Sequence, residues 1–534
     1  MRRYSHVRYS MLLALILLVS IVSAHAQPFS PQDFDGYVAR VLKEFEVPGL
    51  AVAIVKDGKV VLATGYGVRE LRKPTPVDEQ TLFAIASNTK AFTTAALSIL
   101  VDEGKIRWDD PVTMHLPEFQ MYDPYVTREI TIRDLLVHRS GLGLGAGDFL
   151  WFPEATYTRQ EIVHRLRFIE PASSFRSGYA YDNVLYLVAG QIIPAVTDTS
   201  WDDFIKNRIF IPLGMIDSNT SVRSFRAGDN VATPHIPVDG QIQPSGYMTV
   251  DNIAPAGAIN SNVSDMAKWV IAQLDSGLIR SDQNGDLRLF STQQTKEMWA
   301  SQMIRPIGEQ TPVLSSLRPN FSSYGLGWNL RDYKGMKIVS HNGGLLGMRS
   351  RVTLVPDLKL GIVVLTNQES GGAFHALTLY ILDSYLSVPP TDWIHAYRTV
   401  AEEREANATE VEMKQNATRD MDSGPSLPLQ KYAGKYLDAW YGEVTIGLEK
   451  DTLVLRFDHT PALVGNLEHW QYDTFVARWR DRNLKADAFV TFSLNPDGSI
   501  DQMKMVPVSP LTDFSFDFQD LLFKPVQETA KTQR

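Results

Sequence analysis

Two strand-like hairpins far apart in the chain constrain this sequence most. Leu50-Ala51-Val52-Ala53-Ile54-Val55 and Lys59-Val60-Val61-Leu62-Ala63 flank Asp57-Gly58, a dipeptide that closes tight hairpins. Far downstream, the apolar run from Arg351 to Thr366 turns at Pro356-Asp357, and a helical stretch follows from about Ala373 to Leu386. The long region between the hairpins is mixed and mainly helical in pattern. A single sheet built from both ends, flanked by inserted helices, accounts for this arrangement. The strand pairs read as antiparallel, so the fold class is α+β rather than a doubly wound parallel sheet.

The texture changes twice more. Glu402-Glu403-Arg404-Glu405 and, later, Asp422-Ser423-Gly424-Pro425 mark a polar, charged segment, part helix and ending as a linker. Beyond Gln430, short β-like runs alternate with turn signals: Val444 to Leu448, Leu453 to Phe457, Thr474 to Trp479, Phe489 to Leu494 and Met503 to Val506. Pro496-Asp497-Gly498 reads as a hairpin turn. A small all-β barrel or sandwich fits. The expected organisation is a leader over residues 1–26, a main domain over 27–390, a charged linker over 391–428 and a β domain over 429–534. At 534 residues and 44% apolar content the chain can bury cores of that size.

Arg2, Arg3 and Arg8 precede the apolar stretch Met11 to Val22, and Ala24-His25-Ala26 supplies a small-x-small cleavage site. The stretch is short for a membrane span, so export with cleavage is expected, to a periplasm or the exterior, without stable membrane insertion afterwards. An uncleaved anchor is the alternative. A net charge of −9 without a basic stripe argues against a nucleic-acid partner. The absence of cysteine excludes disulfides, thiol nucleophiles and thiolate-ligated metals.

The chemistry concentrates at Ser87-Asn88-Thr89-Lys90, just before a long apolar run. Three residues apart at a helix start, Ser87 and Lys90 share a face. A lysine wedged against a buried helix loses hydration, which favours its neutral, basic form. The helix N-terminus favours a developing alkoxide. Tyr181 and Asn183 precede another helical run. A phenol beside a lysine can be partly ionised and shuttle protons, and an amide can hold a substrate carbonyl while touching the lysine. His341-Asn342-Gly343-Gly344 follows Lys337-Ile338-Val339, read as an edge strand, where glycines admit close backbone approach.

Ser-x-x-Lys, Tyr-x-Asn and a glycine-containing triplet on a strand, in this order, resemble the signature of serine β-lactamases and penicillin-binding proteins. The nearest branch is the class C β-lactamase-like family of esterases, D-amino-acid peptidases and related proteins. The resemblance covers about Phe34 to Leu386. It extends to Asp109-Asp110-Pro111-Val112, Leu135 to Leu142, Ile209 to Met215 and Tyr324-Gly325-Leu326-Gly327-Trp328. The Tyr432-Ala433-Gly434-Lys435-Tyr436 opening is similar to that of the lipocalin-like domain often appended to this branch.

The resemblance implies a β-lactamase/transpeptidase-like domain and acyl-enzyme chemistry without a metal or organic cofactor. Ser87 would be the nucleophile, Lys90 its base and Tyr181 the proton shuttle. Asn183, His341, Asn342, Gly343 and Gly344 would bind substrate, and the N–H groups of Ser87 and Gly344 would form the oxyanion hole. The family's Lys-Thr-Gly is here His341-Asn342-Gly343, which removes a fixed cation and a hydroxyl. Weak β-lactam turnover and better activity on esters, small peptides or amides are therefore expected, with a pH-dependent contribution from His341. Asp182 stands where relatives often have serine, and a solvent-facing position is expected for it. A non-turnover penicillin-binding or ligand-sensing protein is the alternative. The complete Ser-Lys-Tyr-Asn set argues against it. The segment Leu144 to Pro153 is expected to form an apolar pocket wall through Trp151 and Phe152. The β domain could cover the active-site mouth, hold a hydrophobic ligand or mediate oligomerisation.

Overall fold

The computed structural model describes residues 28–280 and 285–526. The leader at residues 1–26 lies outside them. Eight strands form the main sheet: β1 (Gly49–Lys56), β2 (Lys59–Gly67), β3 (Met303–Ile304), β4 (Ser322–Tyr324), β5 (Asn329–Tyr333), β6 (Met336–Leu345), β7 (Met348–Val355) and β8 (Leu360–Thr366). Their order is β2-β1-β8-β7-β6-β5-β4-β3, antiparallel throughout. The two hairpins meet at the β1–β8 seam, where Val52 faces Val364. The expected α+β sheet built from both chain ends is what forms.

The seam strands are buried at nearly every position, as required of a sheet covered on both faces. On one face Leu50, Val52, Ile54, Ile362 and Val364 pack with α1 (Pro31–Glu44) and the helix Gly371–Tyr385. On the other, Ala51, Ala53, Val363 and Leu365 join a larger core with α2 (Thr89–Asp102), α3 (Val184–Thr197) and α4 (Val263–Leu274). α2 is buried from Thr89 to Leu100, which explains why its sequence lacks a polar face. The Gly371–Tyr385 helix is α5.

One strand sits differently from expectation. β6, which carries His341, is an interior strand rather than an edge, because β5, β4 and β3 extend the sheet beyond it. Those three strands span five residues or fewer, too short for an alternation to register. Most of the charged segment is a single helix, α6 (Trp393–Ala417). Trp393 at its start is buried and donates through Nε1 to Asp383 at 2.7 Å, anchoring α6 on α5.

The C-terminal strands Gly434–Asp438, Gly442–Glu449, Thr452–Phe457, Val464–Gln471, Thr474–Trp479, Ala488–Leu494, Ile500–Pro507 and Leu522–Pro525 close an up-and-down antiparallel barrel. Five of them match the sequence reading. The first, fourth and last have mixed polar sequences that carry no clear two-residue rhythm. Aromatic rings crowd the barrel, with Tyr432 and Phe475 5.2 Å apart and Tyr441 and Phe457 5.0 Å apart.

The barrel docks on the main domain through further aromatics. Phe149 lies 5.0 Å from Phe518, and Phe152 lies 4.9 Å from Phe516. Thr156 N–H donates to the His459 carbonyl at 2.8 Å, and Arg165 donates to the Trp440 carbonyl at 2.9 Å. The connection between the last two strands therefore lies against the site described next.

Candidate active site

A short 3₁₀ turn, Ala86–Asn88, feeds directly into α2 and presents Ser87 at the head of that helix. Ala86 holds φ at 48°, a left-handed conformation that strains a non-glycine residue. The turn is pinned by β6 and β7. Asn88 donates to Ser350 Oγ at 2.8 Å, and Ser350 donates to the Ile85 carbonyl at 2.7 Å. Gly343 passes so close that a β-carbon there would sit 2.1 Å from the Ile85 oxygen. Only glycine allows the strand to lie against the serine turn.

Lys90 is fully buried one turn later. Its Nζ donates to Ser87 Oγ at 3.1 Å, Asn183 Oδ1 at 2.7 Å and the Ala256 carbonyl at 3.1 Å. Burial pulls its pKa down to about 7, although the charges of Asp148 and Asp182 oppose the shift. A neutral amine hydrogen-bonded to a serine hydroxyl can accept its proton.

The Tyr181 phenol lies beside the Ser87 hydroxyl, which opposes its rise in pKa, and its ring lies 4.9 Å from Lys90 Nζ. Burial drives the phenol well above its ordinary range, so it is protonated at rest rather than partly ionised. The lysine is the resting base, and the protonated phenol stands beside the same serine.

Asn183 orients Lys90 and is itself oriented. Its Nδ2 donates to Asp148 Oδ2 at 2.9 Å. Asp148 also accepts from Trp151 Nε1 at 2.8 Å and from Ser515 Oγ at 2.7 Å. Burial raises Asp148 to about 7. The next barrel contact repeats the pattern: Gly147 N–H donates to Asp517 Oδ2 at 2.8 Å, and burial holds that carboxyl up at about 10. A chain of hydrogen bonds therefore runs from the barrel to the serine: Ser515, Asp148, Asn183, Lys90, Ser87. Asp148 escaped the sequence reading because it is a lone acid inside the aromatic Leu144–Pro153 loop. Ser515 lies in another domain with no local signal.

His341 is near Tyr181, with ring centroids 6.4 Å apart, but its bonds go elsewhere. Its Nδ1 donates to the Asn342 carbonyl at 2.7 Å, which leaves Nε2 to accept from the Tyr324 hydroxyl at 2.8 Å. Burial, then the charge on Lys90, hold it well below the usual histidine range. The ring is neutral across physiological pH, contrary to a pH-sensing role. The Asn342 side chain points to the opposite face, where Arg351 donates to its oxygen, although the residue also borders the catalytic cavity.

Asp182 does not face solvent. It is completely buried, and its Oδ1 accepts from Leu185 N–H at the start of α3 at 3.3 Å. His138, from the Leu135–Leu142 motif, accepts at Nδ1 from Asp182 N–H at 3.2 Å, and its ring lies tilted against the Tyr181 ring at 4.3 Å. These two buried residues shape the Tyr181 turn.

Ser87, Tyr181, Asn183, His341, Gly343 and Gly344 open onto one cavity of about 480 Å³. Trp151 and Phe152 form part of its wall, as the sequence suggested, and Phe514 of the barrel supplies another part. Arg305, Arg349, Glu369 and Asp513 bring charge to the same cavity. Among the described residues no group of three or more His, Asp or Glu side chains is placed to hold a metal ion.

The family model Beta-lactamase matches residues 34–386, and the model Domain of unknown function (DUF3471) matches residues 418–525. Unguisins hydrolase ungD of Aspergillus violaceofuscus is 30% identical over 500 residues, covering 87% of this chain and 86% of that protein. Among solved structures, an octameric penicillin-binding protein homologue from Pyrococcus abyssi aligns over 93% of this chain and 100% of its own, with TM-score 0.57 and 22% identity. D-amino acid amidase from Ochrobactrum anthropi aligns over 66% of this chain and 99% of its own, with TM-score 0.54 and 23% identity. These two share the fold. With the family match over most of its length and a complete serine–lysine centre, the chain belongs to the β-lactamase family of serine hydrolases.

Proposed function

We propose that the protein hydrolyses small peptide or amide substrates, and esters of similar shape, through an acyl-enzyme on Ser87. The observation that carries this reading is the hydrogen bond that a fully buried lysine, its pKa drawn down to about 7, donates to Ser87 Oγ. Neutral Lys90 takes the hydroxyl proton as Ser87 Oγ attacks the scissile carbonyl carbon. The Ser87 and Gly344 N–H groups receive the oxyanion. The proton passes through Tyr181 to the leaving nitrogen as the C–N bond breaks, leaving an ester on Ser87. Water then attacks that ester, giving a proton to the same Lys90–Tyr181 pair, which returns it to Ser87 Oγ as the acyl C–Oγ bond breaks and the acid departs.

A preference for amides and peptides is supported by the names of relatives, an unguisins hydrolase and a D-amino acid amidase. The apolar wall of Trp151, Phe152 and Phe514 suits an aromatic or aliphatic acyl group. Weak β-lactam turnover is supported by His341, which is neutral and committed to Tyr324. A reading of export is supported by the leader-like residues 1–26.

The test is intact-mass spectrometry after exposure to a fluorophosphonate, with D- and L-amino-acid amides, p-nitrophenyl esters and nitrocefin assayed in parallel. A single adduct absent in Ser87→Ala, with amide or ester turnover, is expected. Labelling without turnover of any substrate would favour a ligand sensor. Efficient nitrocefin hydrolysis would overturn the amide preference.

A further inference from the structure

The opposite face of β5–β7 carries a second cavity of about 240 Å³, closed over by α5 and α6. Alternation along β6 puts His341 toward the serine and Ser340 and Asn342 toward this cavity. The guanidinium groups of Arg331 and Arg351 line it, together with His375 and Tyr397, and Arg305 stands at the rim it shares with the catalytic cavity. Among the described residues no carboxylate lines it.

All recorded acceptors of these guanidiniums are neutral. Arg351 donates to Thr353 Oγ1 at 3.0 Å and to the Asn342 side-chain oxygen. Arg331 donates to the backbone carbonyls of Leu317 and Asp332, and Arg305 to the Asn329 amide oxygen. The nearby acids are turned away. Asp332 accepts from Asn320 and from Phe321 N–H, and Asp383 accepts from Tyr333 and Trp393.

Partly buried cations gathered in one cavity are ordinarily paired, because clustering them unpaired is costly. Burial pulls Arg351 down to about 10 and also lowers Arg331, where the charge of nearby Asp332 offsets only part of the shift. Burial, then the charges of Arg351 and Arg331, hold His375 well below its usual range, and its ring stacks 5.2 Å from Tyr397. The wall also contains a buried hydroxyl, Thr378 Oγ1, with no hydrogen-bond partner.

We propose that this cavity is a binding site for a small free oxyanion of the phosphate or carboxylate type, held by Arg331 and Arg351 with Thr378 as a further donor. Guanidinium forks match the paired oxygens of such anions. The cavity volume suits a small anion with a few waters and excludes a peptide. Because Arg351 also holds Asn342, the residue after His341, an anion here sits across the same strand from the catalytic face.

The test is titration of the full chain with inorganic phosphate and, separately, acetate at constant ionic strength, read by calorimetry and thermal unfolding. Saturable binding with a rise in Tm is expected for at least one of them. Arg351→Gln and Arg331→Gln should each weaken it at least tenfold. Thr378→Val, a smaller change, should weaken it a few-fold and guards against misfolding of the arginine variants. Arg349→Gln, in the catalytic cavity, should leave it unchanged. No saturable binding of either anion at tens of millimolar, equal binding in the Arg331, Arg351 and Thr378 variants, or equal weakening by Arg349→Gln would overturn the proposal.

Discussion

At the scale of single residues, Lys90 governs the chemistry. Below its pKa of about 7 it is protonated and cannot take the Ser87 proton, so kcat/KM should rise with pH through an apparent value near 7. Lys90→Arg, permanently charged, should cost about 10²- to 10⁴-fold in kcat/KM at neutral pH. The charge on Asp148 raises Lys90, so Asp148→Asn should shift the acid limb to lower pH, whatever it does to the absolute rate. Asp148 itself lies at about 7 and is coupled to Lys90, so the wild-type limb belongs to the pair. His341 is already neutral, and His341→Gln should leave the limb where it is. A displacement of the limb in that variant, read from a pH–rate profile, would reinstate histidine as a titrating group.

At the scale of elements, the serine turn and β6 are one unit. The strained Ala86 conformation is held because Asn88, Ser350 and Gly343 press the turn from the sheet side. Gly343→Ala drives a β-carbon into the Ile85 carbonyl, and backbone cannot step aside cheaply. It should lose fluorophosphonate labelling and about 1–3 kcal/mol of stability in denaturant unfolding. At Gly344 the nearest obstacle is the Arg349 side chain, a flexible neighbour. Gly344→Ala should therefore remain folded, and retained labelling there beside loss at Gly343 would separate strand packing from catalysis.

At the scale of the molecule, the barrel is part of the active site. Phe514 lines the cavity, while Ser515 and Asp517 support the loop that holds Asn183. Removing the barrel would also bare Phe149, Phe152 and Tyr157, so truncation after Leu386 tests stability more than lid function. Point changes are cleaner. Phe514→Ala should raise KM for substrates with large aromatic acyl groups about tenfold more than for small ones, since one apolar contact discriminates by about 1–3 kcal/mol. Ser515→Ala removes one donor from a buried carboxyl and should cost about 1–3 kcal/mol of stability, measured by urea unfolding. An unchanged substrate profile in Phe514→Ala would limit the barrel to a supporting role.

The sequence by itself determined the chemistry-bearing motifs and the α+β class, because both are written in local pattern. Ser87 and Lys90 meet through one helical turn, and the hairpins at residues 49–67 and 348–366 through adjacent strands and their turns. It also marked Trp151 and Phe152, whose crowding in one loop is visible without coordinates. Only the tertiary structure decided the electrical state of those groups. Whether His341 titrates, whether Asp182 meets water and whether Tyr181 ionises depend on burial, which is contributed by residues far away in the chain. The same holds for Asp148 and Ser515, separated by 367 positions yet joined by one hydrogen bond. Neighbours in sequence set which groups are near a turn, while long-range packing sets the dielectric they feel and the partners they keep.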